Sequence, residues 1–279
     1  MTRAIAVPKL AAHLDLLHPA RALWKLRLGS VRLIELERHV LNPAGVGWRR
    51  DEDIPSSLIP EYFFNYLRGG PAEPLVRVAR HNQMDLRGLA ALFGRINALL
   101  AEREGAPGEI ESLDLFGLSR FLQRRGQSER AQIACAQALD LGLPAEFRPQ
   151  ASRELALLAK RQGDHQQAAA IWHELTADLQ EAVDACEQLA IHYERREKNL
   201  SRAAEFAALA MAKLRLSRSR SRDRYAAART QRLEKRLLHR VARLQERLRL
   251  SRVATNTPLL MPLEHASSSA SKRGAAHSY

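Results

Sequence analysis

At 279 residues and 46% apolar content, this chain can bury one or two domain cores. Its wealth of Ala, Leu and Arg, with aromatics at only 5%, favours helix. No run of about 18 uncharged apolar residues occurs and no long apolar stretch follows Arg3, so neither a membrane span nor a signal peptide is expected. Cys135 and Cys186 lie far apart without a CxxC partner. They read as buried free thiols in a reducing cytoplasm rather than as a disulfide framework.

In chain order, Ala11 to Leu17 reads as a strand, with His13 and Asp15 on one face and Leu14 and Leu16 on the other. His13, Asp15 and His18 could pass for a metal cluster, but a strand end running into a helix at Pro19 is the better reading. Leu23 to Leu41 is expected to be helical. A loop with Gly45, Gly47 and Pro55 follows, up to Pro60. The acidic run Asp51-Glu52-Asp53 falls inside that loop. Ser57 to Leu67 and Pro74 to Leu100 are expected to be helical, split by Arg68-Gly69-Gly70-Pro71.

The second of these helices carries His81-Asn82-Gln83-Met84-Asp85. Residues four apart share a helical face, so His81 and Asp85 point the same way. A carboxylate there can bind a divalent cation, and a His can accept a proton from an attacking water. The bland alternative is a helix start, with Asn82 or Asp85 near the first turn. A two-metal site needs several more acids, and the chain does not obviously contain them.

The surrounding words carry a resemblance. They run in the order His13-Leu14-Asp15-Leu16-Leu17-His18-Pro19-Ala20-Arg21, Leu33-Ile34-Glu35-Leu36-Glu37-Arg38-His39, Ile59-Pro60-Glu61-Tyr62-Phe63-Phe64-Asn65-Tyr66-Leu67-Arg68, Glu73-Pro74-Leu75, His81-Asn82 and Asp85-Leu86. In that order they resemble the C-terminal half of a YprB-type ribonuclease-H-like domain, of the DEDD group of 3′–5′ exonucleases, over roughly residues 10 to 100. The resemblance implies Asp85 as a metal ligand, His81 as general base and Mg²⁺ or Mn²⁺ as cofactor. It also implies that the first acidic motifs would precede Met1. The chain then reads as a truncated or decayed exonuclease domain, inactive alone. Loss of the first strands would leave an unpaired sheet edge and an open apolar face.

Glu104-Gly105-Ala106-Pro107-Gly108 reads as a linker, and a repeat follows it. Gly126 is followed at offsets of five, nine and twelve by Ala131, Cys135 and Ala138. Gly163 is followed at the same offsets by Ala168, Trp172 and Leu175, and Lys198 by Ala203, Ala207 and Ala210. Leu118-Ser119, Leu155-Ala156 and Leu189-Ala190 precede the three turns. The pattern resembles the tetratricopeptide repeat, a helix–turn–helix of about 34 residues. Gly permits the tight turn, and the small residue after it lets two helices approach. Lys198 departs from that pattern. A stack of such pairs offers a groove for a protein partner. His165, Trp172 and His173 lie nearby, with Trp172 in a packing slot.

From Lys213 to Arg252 there are fifteen basic and three acidic residues, a net +12 against +13 for the whole chain. Leu233, Leu237, Val241, Leu244 and Leu248 form an apolar helical stripe in this segment. Its Arg face, with Arg224, Arg229, Arg232, Arg236, Arg240 and Arg243, can neutralise phosphates of DNA or RNA. A solvated helix face is the alternative, since only Tyr225 is on hand for base stacking. Ser217 to Arg222 reads as a joint, and the residues beyond Ala254 as disordered.

The expected fold is mainly α. A partial ribonuclease-H-like α/β segment (1–103) and a linker (104–110) lead into tetratricopeptide-like helical repeats (111–216), a basic amphipathic helix (217–252) and a tail (253–279). Two functions compete: a metal-dependent nuclease remnant, and a non-catalytic helical-repeat module that binds a protein or nucleic acid.

Overall fold

The computed structural model describes residues 14–41, 54–101, 110–220 and 224–256, without the side chains of 218–220, 224–229 and 253–256. Every regular element among the described residues is a helix, and none of these residues forms a strand. The α/β expectation for the first segment is corrected to that extent. Leu14 to Leu16 do not continue a strand; they lead into helix α1 (Leu17–Leu28). The local reason is Asp15, whose Oδ1 accepts a hydrogen bond from the Leu17 amide at 2.8 Å and so favours a helical turn over an extended ladder.

The expected helix from Leu23 to Leu41 is two pieces. Gly29, at φ 66°, ends α1 in a conformation that a residue with a Cβ seldom adopts. A short α2 (Leu33–Leu36) then runs into a π-type turn over Glu37–Leu41. After a 3₁₀ turn at Ser56–Leu58 come α3 (Ile59–Leu67) and the long α4 (Glu73–Leu100), close to the expected spans. Next are α5 (Ser112–Arg124), α6 (Ser128–Asp140), α7 (Arg148–Gln162), α8 (His165–Leu175), α9 (Ala182–Arg195), α10 (Leu200–Arg220) and α11 (Arg224–Asn256).

The helix pairs turn where the spacing places them. Gly126 (φ 77°) separates α5 from α6, and Gly163 (φ 90°) separates α7 from α8. Lys198 takes the third turn at φ 55°, the left-handed conformation that Gly takes in the other two. The small residues after each turn are buried: Ala131, Cys135 and Ala138, then Ala168 with Trp172 and Leu175, then Ala203, Ala207 and Ala210. Asp164 caps α8 by accepting from the Gln167 amide at 2.9 Å, and Asn199 caps α10 by accepting from Arg202 at 3.0 Å. Both thiols are free and buried. Burial pushes the Cys135 thiol up to about 12.

By packing, the chain divides into two units, Met1–Gln188 and Leu189–Tyr279. The first has one continuous core. Ala20, Leu23 and Trp24 of α1, and Leu92, Ile96 and Leu99 of α4, join Leu115, Phe116 and Leu122 of α5 and residues of α6 and α7. Helix α1 comes against α5 at Gly117, where a Cβ would meet the Leu23 carbonyl oxygen and lie 2.7 Å from that of Ala22. Arg27 closes the same contact, donating to both oxygens of buried Asp114 at 2.7 and 2.8 Å. Burial pushes the Asp114 carboxyl up while Arg27 pulls it down, and the Asp114 hydrogen bond raises Arg27. In the second unit α10 packs on α11.

Several large apolar residues of α3 and α4 face solvent. Phe63, Phe64, Tyr66, Leu67, Val76, Leu86, Leu89 and Phe93 are all exposed. The linker expected at 104–110 and the tail beyond 256 lie outside the described residues, apart from Ile110. No helix among the described residues is long and apolar enough to cross a membrane.

Because backbone carbonyls line the contact at Gly117, a side chain there cannot be absorbed by a rotamer change. Gly117→Ala is expected to cost about 1–3 kcal/mol despite the better helix propensity of Ala, read as a lower denaturant midpoint at unchanged slope.

Candidate functional site

Helix α4 begins at Glu73, eight residues before His81, so the reading of His81–Asp85 as a helix start is corrected. The motif lies well inside the helix, where four-residue spacing stacks side chains on one face. His81 Nε2 lies 3.4 Å from Asp85 Oδ2, with the side chains 10% and 37% exposed. A half-buried imidazole thus points at a carboxylate that reaches solvent more freely. That pair can hold and pass a proton.

The same face continues through Gly88 to buried Leu92. Opposite Gly88 stands Glu37, a buried carboxylate from the π-type turn after α2. A Cβ on Gly88 would collide with Glu37 Oε1 and lie 3.1 Å from its Cδ, so Glu37 takes the space that Gly88 leaves empty. Glu37 was quoted in the sequence only as part of a resembling word. The signal that could have singled it out is Gly88 itself, a helix breaker in mid-helix that marks a close approach.

The donor set falls short of a metal centre. Among the described residues no three His, Cys, Asp or Glu side chains gather as ligands. Of the earlier candidates, His13 and Asp51-Glu52-Asp53 lie outside the described residues. His18 Nε2 and Asp15 Oδ2 sit 3.7 Å apart on the surface. Trp172 is buried in the slot its spacing assigned, while His173 is exposed beside it and His165 is half-buried.

The basic helix α11 buries Leu237 and Leu244 and half-buries Leu233, Val241 and Leu248, so the apolar stripe faces inward. Arg232 and Arg236 are exposed. Arg224 and Arg229 lie on the helix, but their side chains are outside the described residues. Arg240 and Arg243 meet a carboxylate that sequence reasoning did not find, Glu194 on α9. Arg247 joins them, with its Nη1 at 2.7 Å from Glu194 Oε1. No sequence signal links residues 46 to 53 positions apart.

Residues 1–97 match the family model of the RNase_H superfamily. Over 205 residues the chain is also 27% identical to the uncharacterized protein YprB of Bacillus subtilis (strain 168), covering 72% of this chain and 48% of YprB. The N-terminal third is thus similar to the RNase_H superfamily, and the chain as a whole to YprB. The chain spans about half the length of the curated relative it matches. No solved structure matches it. The matched segment contains the His81–Asp85 pair, Glu37 and Gly88.

Two glycines on α4 offer an internal comparison. Gly94 is exposed, with nothing within 4 Å of an added Cβ, whereas Gly88 faces Glu37. Gly94→Ala is expected to stabilise by up to about 1 kcal/mol through helix propensity. Gly88→Ala should instead destabilise by about 1 kcal/mol as Glu37 is displaced. Thermal melts of the two variants should shift in opposite directions.

Proposed function

We propose that this chain is the C-terminal portion of a metal-dependent ribonuclease-H-like 3′–5′ exonuclease fused to tetratricopeptide-like repeats, and that it is inactive by itself. The observation that carries this reading is the His81–Asp85 pair, one turn apart on α4 inside the matched segment. In the complete domain Asp85 would be a metal ligand and His81 the general base.

The fold family implies a divalent cation, Mg²⁺ or Mn²⁺. Mg²⁺ is usually held by one or two carboxylates plus substrate phosphates, and two-metal chemistry needs more. The described residues do not bring such a set together. Two buried thiols suit a reducing cytoplasm. Incubated with labelled single-stranded DNA or RNA and Mn²⁺, the purified chain should release no product above the blank. Robust degradation that vanishes in Asp85→Ala would overturn the inactivity and require acids beyond those described.

A second reading rests on charge. Nearly all of the net charge lies from Lys213 to Arg252, and most of that segment belongs to α11, a helix whose apolar side is packed. We read this helix as a surface for the phosphate backbone of DNA or RNA, with weak sequence preference because such contacts position a strand without reading bases. The repeats then serve as its scaffold or as a groove for a protein partner. Replacing exposed Arg232 and Arg236 with Gln in the full chain should weaken oligonucleotide binding alike for different sequences. The dependence of log affinity on log salt should become shallower by about one for each lost contact. Unchanged affinity and slope would make the arginines a solvated face.

A further inference from the structure

Three guanidinium groups converge on one buried carboxylate in the second unit. Glu194 is 5% exposed. Arg240 Nη1 donates to its Oε2 at 3.2 Å, Arg247 Nη1 to its Oε1 at 2.7 Å, and Arg243 Nη2 reaches Oε1 at 2.8 Å and Oε2 at 2.7 Å. Three guanidinium groups thus share one carboxylate. Each arginine engages Glu194 through a single nitrogen, and a guanidinium carries five N–H donors in a fixed plane. Arg243 and Arg247 are 45% and 48% exposed, so both also face solvent.

We infer that Glu194 is a positioning residue that holds Arg240, Arg243 and Arg247 as a preformed clamp for the phosphodiester backbone of a nucleic acid. This rests on the reading of α11 as a phosphate-binding helix, and it adds Arg247 and Glu194 to that surface. Arginine side chains lose much rotamer freedom when they bind an anion. Here that freedom is already removed by a carboxylate beneath them, which also screens their mutual repulsion. Arg243 and Arg247, each about half exposed, still turn donors toward solvent, where about two phosphates can meet them.

The ligand class follows from the spacing. Arg232, Arg236, Arg240, Arg243 and Arg247 recur every three or four residues, which sets them on one helix face at one charge per turn, roughly 5–6 Å apart. Such a row suits a chain of regularly spaced negative charges. An acidic peptide would offer carboxylates without that regularity.

The test uses the full chain and a labelled mixed-sequence single-stranded DNA, at several salt concentrations from about 50 to 200 mM. Glu194→Asp keeps the charge but is one methylene shorter and cannot reach all three arginines. If Glu194 positions them, Glu194→Asp should bind about three- to tenfold more weakly, the factor expected when ordered side chains are released. Helix content by far-UV circular dichroism should be unchanged. Arg243→Gln with Arg247→Gln should weaken binding and lower the salt slope by about two. Should Glu194→Asp lose helix content, the double arginine variant decides.

Glu194→Asp binding like the parent chain means that the carboxylate is a counter-ion only, and overturns the positioning role. Parent-like affinity and slope in the double arginine variant overturn the clamp. Failure of the parent chain itself to bind the oligonucleotide sinks the underlying reading, and this inference with it. Tighter binding to polyglutamate than to DNA assigns the surface to an acidic protein and equally overturns the proposal.

Discussion

The close approach of α1 to α5 is the constraint on which the first unit depends. Gly117 lets two helix backbones come together, and the Arg27–Asp114 pair fixes their register at the same contact. Breaking a buried, doubly bonded pair by removing one partner typically costs about 3–5 kcal/mol, because the remaining charge has nowhere to go. Arg95, from α4, lies close enough for Asp114 to affect its titration, and its Nε and Nη1 are buried without a hydrogen-bond partner among the described residues. Burial lowers its pKa. Within the first unit, the segment matched by the family model and the helix pairs that follow it are therefore tied through one charged and apolar junction.

That junction changes how the candidate site is supported. The His81–Asp85 pair sits on the N-terminal half of α4, while Leu92, Ile96 and Leu99 on its C-terminal half are core residues shared with α5 and α1. A long helix anchored at one end presents the motif from a rigid base. Glu37 reinforces the middle of the helix at Gly88. The geometry of the pair is thus fixed by packing well away from it, which is the usual way in which a scaffold holds polar residues in place.

Local rules were legible in the sequence, and long-range ones were not. The turns at Gly126 and Gly163, and the buried small residues after them, follow from what two close helices require, and spacing alone reports that. The break at Gly29 was passed over because the apolar pattern continues across it, although a left-handed backbone at that point ends the helix. From Leu14, where the described residues begin, the strand read over Ala11 to Leu17 yields to the turn that Asp15 favours. In the site, the shared face of His81 and Asp85 was readable from four-residue spacing. Glu37 and Glu194 were not, since each meets its neighbours across about fifty residues of chain. By the same limit, the sequence places Arg240 and Arg243 on a phosphate-facing row and does not disclose the buried carboxylate they meet.

The exposed aromatic and aliphatic residues of α3 and α4 have a colloidal consequence. Molecules with a net charge of +13 repel one another at low ionic strength, and that repulsion opposes association through an open apolar face. Added salt screens the repulsion within about 10 Å at 0.1 M and leaves hydrophobic attraction intact. Salt therefore works on this chain in two opposed ways. It loosens any grip on a polyanion while it brings copies of the protein together, and a polyanion that neutralises the basic helix would remove the same repulsion without any salt at all.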